Sequence, residues 1–132
     1  MAKVLIIDDD PLMYELYQLI LTTAGHEVAI AEAPELAVER ALAFEPEVIL
    51  LDIMMPKMNG LELLQLFRAS SRLKKIPVVA FSNLLDKEAE QEAYRRGAVR
   101  YIIKSQFQAK ELQALIVELL EKNGKSKGLP KL

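Results

Sequence analysis

The sequence contains no cysteine and no tryptophan, and only one histidine. Without cysteine there is no disulfide framework, no thiolate nucleophile and no Cys-ligated zinc or iron–sulfur centre. A single histidine, His26, rules out a multi-histidine metal site within one chain. Neither sign of charge dominates: 17 Lys and Arg stand against 19 Asp and Glu, for a net charge of −2. That balance offers no general attraction to nucleic acid or to an anionic membrane surface. No apolar run approaches the roughly 18 residues of a membrane span. The first seven residues are too short for a signal-peptide core and run directly into acids. The Gly-rich phosphate loop of a P-loop enzyme or nucleotide binder is also missing. What is present is a 132-residue chain, 52% hydrophobic and 27% charged. Such a chain is long enough for one sizeable core, and is expected to be soluble and cytoplasmic.

Four short apolar runs, at residues 4–7, 48–51, 78–81 and 101–103, are mostly β-branched or aromatic. Continuous apolar runs of this length suit strands buried on both faces, as in a parallel sheet. A weaker run at 28–31 suits an edge strand. Helical spacing fills the gaps. Leu12, Leu16, Leu19 and Ile20 recur at i, i+4, i+7 and i+8, with Tyr14 and Tyr17 as helix-face packing. Asp10 as N-cap and Pro11 at the first helical position start that helix; Gly25 ends it. Pro34 opens a second helix, with Ala37, Ala41 and Phe44 on one face, and Pro46 closes it. Gly60 precedes a third, with Leu61, Leu64 and Phe67 inward, and Asn59-Gly60 reads as a turn requiring positive φ. Asp86 opens a fourth, with Ala89 and Ala93 inward. Leu112, Leu115, Ile116 and Leu119 define a fifth. His26 follows Gly25 and reads as an exposed loop residue. Five alternations of strand and helix predict an α/β fold, a doubly wound parallel sheet with helices on both faces. From about Lys122 the chain turns Lys- and Gly-rich without periodicity. Residues 1–121 therefore read as one domain and 122–132 as a flexible tail.

The polar residues of interest fall where the apolar runs stop: Asp8-Asp9-Asp10, Asp52, Ser82-Asn83 and Lys104-Ser105. In open α/β sheets, ligands bind outside the carboxyl ends of the strands. With the first and third strands as neighbours, three or four carboxylates converge in one crevice. Like charges so placed raise each other's pKa unless a cation joins them. A hard divalent ion such as Mg²⁺ suits oxygen ligands and binds phosphate oxygens. Carboxylates, Mg²⁺, a lysine and a hydroxyl suit phosphoryl transfer, and a carboxylate can itself form an acyl phosphate.

The stretches 4–11, 52–60, 81–82 and 97–104 together resemble the receiver domain of a two-component response regulator, over about residues 3–121. The resemblance is to the stand-alone, chemotaxis-regulator-like type. It implies a (βα)5 flavodoxin-like fold with strand order 2-1-3-4-5. It implies that Asp52 accepts phosphoryl from a phosphohistidine of a sensor histidine kinase or histidine phosphotransfer protein. Asp9 would bind Mg²⁺ directly, Asp8 would assist, and Asp52 and the Met54 carbonyl would complete the protein ligands. Lys104 would pair with Asp52 and then with the phosphoryl group. Ser82 would move to a phosphoryl oxygen, and Tyr101 would turn inward with it. Such a domain is a switch and not an enzyme in its own right. Its output passes through a protein partner, with no nucleic acid and no membrane involved. It would be a monomer or a weak phosphorylation-linked dimer. The alternative is a pseudo-receiver, a protein-binding module that is never phosphorylated. An aspartyl phosphatase is disfavoured because Met54, not an acid, stands two residues after Asp52.

Four positions bear on how closely the chain follows the family pattern. Ser105 replaces the proline that usually follows the lysine through a cis bond. A cis non-proline bond costs roughly 3–4 kcal/mol, so a trans bond and a reshaped loop are expected. Asn83 stands where the family often has a smaller residue and narrows access for donors. Met54 and Leu84, two positions beyond Asp52 and Ser82, are apolar. Apolar cover there disfavours a positioned water and predicts slow autodephosphorylation.

Overall fold

In a computed structural model describing residues 1–56, 59–83 and 85–122, each apolar run is a strand. These are β1 (Lys3–Ile7), β2 (Glu27–Ala31), β3 (Val48–Asp52), β4 (Val78–Ser82) and β5 (Arg100–Ile103). The helices are α1 (Pro11–Thr23), α2 (Ala37–Phe44), α3 (Gly60–Ala69), α4 (Lys87–Arg95) and α5 (Ala109–Lys122). All strand pairs are parallel, in the order β2-β1-β3-β4-β5. The weak run is thus an edge strand and the apolar β1, β3 and β4 lie inside, as double-sided burial demands.

Alternation along the strands divides the core in two. Leu5, Ile7, Ile49, Leu51, Val78 and Ala80 pack with α2, α3 and α4. Val4, Ile6, Val48, Leu50, Val79 and Phe81 pack with Tyr17 and Leu21 of α1 and the Leu112, Leu115, Ile116 and Leu119 stripe of α5. Asp52 ends β3 in step with Val48 and Leu50, and Asp8 follows β1 in step with Val4 and Ile6, so the period of two carries both carboxylates toward the α1/α5 face.

Several local expectations are corrected. The Leu12, Leu16, Leu19 stripe faces solvent; Leu12 is 79% and Leu19 64% exposed. Burial on α1 falls to Tyr17 and Leu21, whose face of the helix packs against Phe81 of β4 and the apolar stripe of α5. Pro34 opens a 3-10 turn, Pro34–Leu36, and α2 begins only at Ala37. Glu45, with φ of 54°, stops α2 in the left-handed region before Pro46. His26 is half-buried, not an exposed loop residue: its Nδ1 accepts the Ala2 N–H at 3.0 Å. Burial and the nearby N-terminal charge both hold its pKa low, which keeps Nδ1 free to accept.

Asn59 caps α3 through its side chain, which accepts the Leu61 N–H at 2.8 Å. Gly60 does not supply positive φ; among the described residues the glycines there are Gly25 and Gly97. Its requirement is close approach instead. A Cβ on Gly60 would lie 2.2 Å from the Ile53 Cα. The Lys104–Ser105 bond is trans, since no cis bond occurs among the described residues. Lys104–Gln106 forms a 3-10 turn before α5, the reshaped loop that the missing proline predicts. Helix α5 runs through Lys122, one residue into the expected tail. Leu84, Met58 and the remainder of that tail lie outside the described residues.

Candidate functional site

Three strand ends build the crevice. Asp8 and Asp9 leave β1, Asp52 closes β3, and Lys104 follows β5. Among the described residues, Asp8, Asp52, Ser82 and Lys104 are the buried polar and charged ones, whereas Asp9 is exposed at the mouth. Backbone amides fix the two buried carboxylates. The Asp10 N–H donates to Asp8 Oδ1 at 3.0 Å, and the Met54 N–H donates to Asp52 Oδ1 at 2.9 Å. Their other oxygens share one cation: Lys104 Nζ lies 2.7 Å from Asp8 Oδ2 and 3.2 Å from Asp52 Oδ2. The expected Lys104–Asp52 pair is present, and the shorter contact is to Asp8.

Burial shapes the charges. It pushes the Asp8 carboxyl up to about 6, against the pull of the Lys104 hydrogen bond. Burial alone would lower the Lys104 pKa. The hydrogen bond to Asp8 and the charges of both aspartates more than reverse that, so the ammonium stays charged. Linkage gives the sign for Asp8. The folded state holds a proton that the unfolded chain has lost between about pH 4 and 6, so stability falls as pH rises through that window. Asp8→Asn removes the cost. Without divalent metal we expect the variant to gain roughly 1–3 kcal/mol at pH 7.5 and to match the native chain near pH 4. Urea unfolding in chelator at both pH values measures this. A loss of stability at pH 7.5 would contradict it.

Ligand atoms of Asp8, Asp9 and Asp52 all lie within 4.8 Å of one another. Three carboxylates so close, two of them buried, fit a hard oxygen-seeking cation such as Mg²⁺. The Ser82 hydroxyl donates to Met54 Sδ at 3.1 Å. Tyr101 already lies inward, 8% exposed. Its N–H donates to the Tyr94 hydroxyl at 3.1 Å.

Residues Glu32 and Glu35 escaped the sequence reading. With Asp9, Ala33, Pro34 and Pro56 they line a cavity of about 250 Å³ at the mouth. Glu32 follows β2 as Asp8 follows β1, so the strand-end rule applied to the edge strand would have found it.

Fold and site together define a doubly wound α/β protein with an acidic, lysine-bridged crevice at the carboxyl ends of its central strands. The chain belongs to the response regulator receiver domain family, whose pattern matches residues 4–117. Receiver domains are phosphorylation-dependent signalling switches. The chain is 32% identical over 122 residues to the DNA-binding dual master transcriptional regulator RpaA of Synechocystis sp., covering 92% of this chain and 50% of that protein. It is 38% identical over 123 residues to a protein-glutamate methylesterase/protein-glutamine glutaminase of Archaeoglobus fulgidus, covering 91% of this chain and 34% of that one. It thus spans about half or a third of the length of these relatives. A Vibrio cholerae chemotaxis protein superposes with a TM-score of 0.84 at 30% identity, over 91% of this chain and 99% of that one. A receiver domain protein of Methanospirillum hungatei gives 0.87 at 25% identity, over 96% and 98%. Among the described residues no helix is long and apolar enough to cross a membrane.

Proposed function

We propose that this chain accepts a phosphoryl group on Asp52 from a phosphohistidine of a sensor histidine kinase or histidine phosphotransfer protein. The observation that carries this reading is the buried Asp52 carboxylate held between one lysine and two further aspartates. A carboxylate oxygen of Asp52 attacks phosphorus, the P–N bond breaks, and its electron pair leaves with the imidazole nitrogen. An acyl phosphate results. Asp8, Asp9, Asp52 and the Met54 carbonyl would hold Mg²⁺, which supplies neutralising charge for the phosphoryl oxygens. Lys104, already within reach of Asp52, follows the charge onto the phosphoryl group. Ser82 gives up its thioether contact with Met54 to donate to a phosphoryl oxygen. Tyr101, packed beside β4 and α4, carries the change to the α4–β5–α5 surface, where a protein partner reads it. In this reading the domain catalyses only its own phosphorylation and dephosphorylation.

Incubation with acetyl phosphate and Mg²⁺, followed by intact-mass spectrometry, tests the reading. A single phosphoryl adduct is expected in the native chain, none in Asp52→Asn, and a strong reduction in Asp9→Ala or without metal. An adduct that survives Asp52→Asn would overturn it. No adduct in the native chain, even with a phosphorylated histidine protein as donor, would favour a pseudo-receiver. We also expect the isolated phosphorylated chain to lose its phosphate over minutes or longer. The thioether of Met54 lies against Ser82, where a hydrolytic water would need a polar partner. A lifetime of seconds would contradict this.

A further inference from the structure

Tyr17 is 5% exposed, and its hydroxyl has no hydrogen-bond partner among the described residues. A buried hydroxyl without a partner is costly, and phenylalanine would fill the same space without that cost. The hydroxyl therefore calls for a use in another state of the molecule. Its location suggests one. Tyr17 belongs to the α1/α5 side of the sheet, the side to which alternation carries Asp8 and Asp52. Its ring centroid lies 5.4 Å from that of Phe81. Phe81 is the register partner of Asp52 and precedes Ser82. The phenol thus lies beneath the crevice. Burial, and then the charges of Asp8 and Asp52, raise its pKa, so it is a permanent donor.

We infer that Tyr17 is a positioning residue for the phosphorylated state, and this rests on the proposed role of Asp52. Asp8 Oδ2 now takes its hydrogen bond from Lys104 at 2.7 Å. When Lys104 turns to a phosphoryl group on Asp52, that buried oxygen loses its donor. The Tyr17 O–H takes over, donating to Asp8, and frees Lys104 for the phosphoryl oxygen.

Tyr17→Phe tests this in the full chain, with Mg²⁺ and beryllium fluoride as a stable imitation of a phosphoryl group on a carboxylate. The apparent Kd for beryllium fluoride, measured by calorimetry at saturating Mg²⁺, is expected to rise about tenfold, the worth of one hydrogen bond to a charged group. The melting temperature without ligand should equal or exceed that of the native chain. Tyr17→Leu, which packs less well, should show the same affinity loss with a lower melting temperature. An affinity within twofold of the native value in Tyr17→Phe would overturn the inference. So would a melting temperature several degrees lower in Tyr17→Phe without ligand, since the hydroxyl would then be bonded already. Failure of the native chain to bind beryllium fluoride or to form the Asp52 adduct would overturn the proposed function, and this inference with it.

Discussion

Lys104→Met is expected to cost about 3–5 kcal/mol of stability at pH 7.5 in the absence of divalent metal. The lysine is the cation that bridges Asp8 Oδ2 and Asp52 Oδ2, and methionine of similar length leaves both carboxylates buried without it. Uncompensated buried charge is among the few causes of so large an effect. The deficit should narrow toward pH 5, where Asp8 takes up its proton, and should narrow again when Mg²⁺ is added at pH 7.5. Urea unfolding under the three conditions separates these contributions. Phosphorylation by acetyl phosphate should slow roughly a hundredfold, as when one preorganised donor is lost from a site of developing charge. Unchanged stability in chelator at pH 7.5 would show that Lys104 is not the counter-charge. Asp8→Asn is predicted to act in the opposite direction at that pH. Removing one of two carboxylates relieves a buried charge, whereas removing the cation strands two. The double variant should therefore recover much of the Lys104→Met loss.

Gly60→Ala is expected to destabilise by about 3 kcal/mol or more, the upper range for forcing volume into a packed site. The added Cβ would meet the Ile53 Cα at 2.2 Å and the Asp52 carbonyl oxygen at 3.0 Å. Both obstacles are backbone, so no rotamer change relieves them. Relief requires α3 to back away from β3, or the segment after Asp52 to move. Either displaces the Met54 N–H that holds Asp52 Oδ1, so phosphorylation should fall with stability. Gly25→Ala is the matched control. Gly25 has φ of +93° but nothing within 4 Å of an added Cβ, and should cost only about 1 kcal/mol. Denaturant midpoints compare the two. Equal costs would mean that close approach is not what Gly60 provides.

Much of this protein was legible in its sequence because the signals are local. Apolar runs of strand length, Asp10-Pro11, and Asp86 ahead of a helical stripe each dictate conformation through their own backbone and nearest neighbours. The alternation of strand and helix then permits few topologies. The strand-end rule brings Asp8, Asp9, Asp52, Ser82 and Lys104 together from sequence alone, and the resemblance assigns their roles.

The misread positions depend on what lies across a gap in space. Leu12, Leu16 and Leu19 have a sound helical period, yet period alone does not say which face of α1 meets the sheet. Tyr17 and Leu21 claimed that face through contact with β4 and α5. Asn59-Gly60 reads as a turn from its dipeptide, but the glycine is required by Ile53, seven positions earlier. His26 looked exposed because its partner, the Ala2 amide, is 24 positions away.

The sequence alone determined most of the secondary structure, the parallel α/β class and the polar residues at the ends of β1, β3, β4 and β5, since these follow from hydrophobic period and turn chemistry. Only the tertiary structure decided that Asp8 is Lys104's closer partner, that the buried Tyr17 hydroxyl has no partner among the described residues, and that α1 shows Leu12, Leu16 and Leu19 to water. Those outcomes depend on distances between strands, and period and turn chemistry carry no information about such distances.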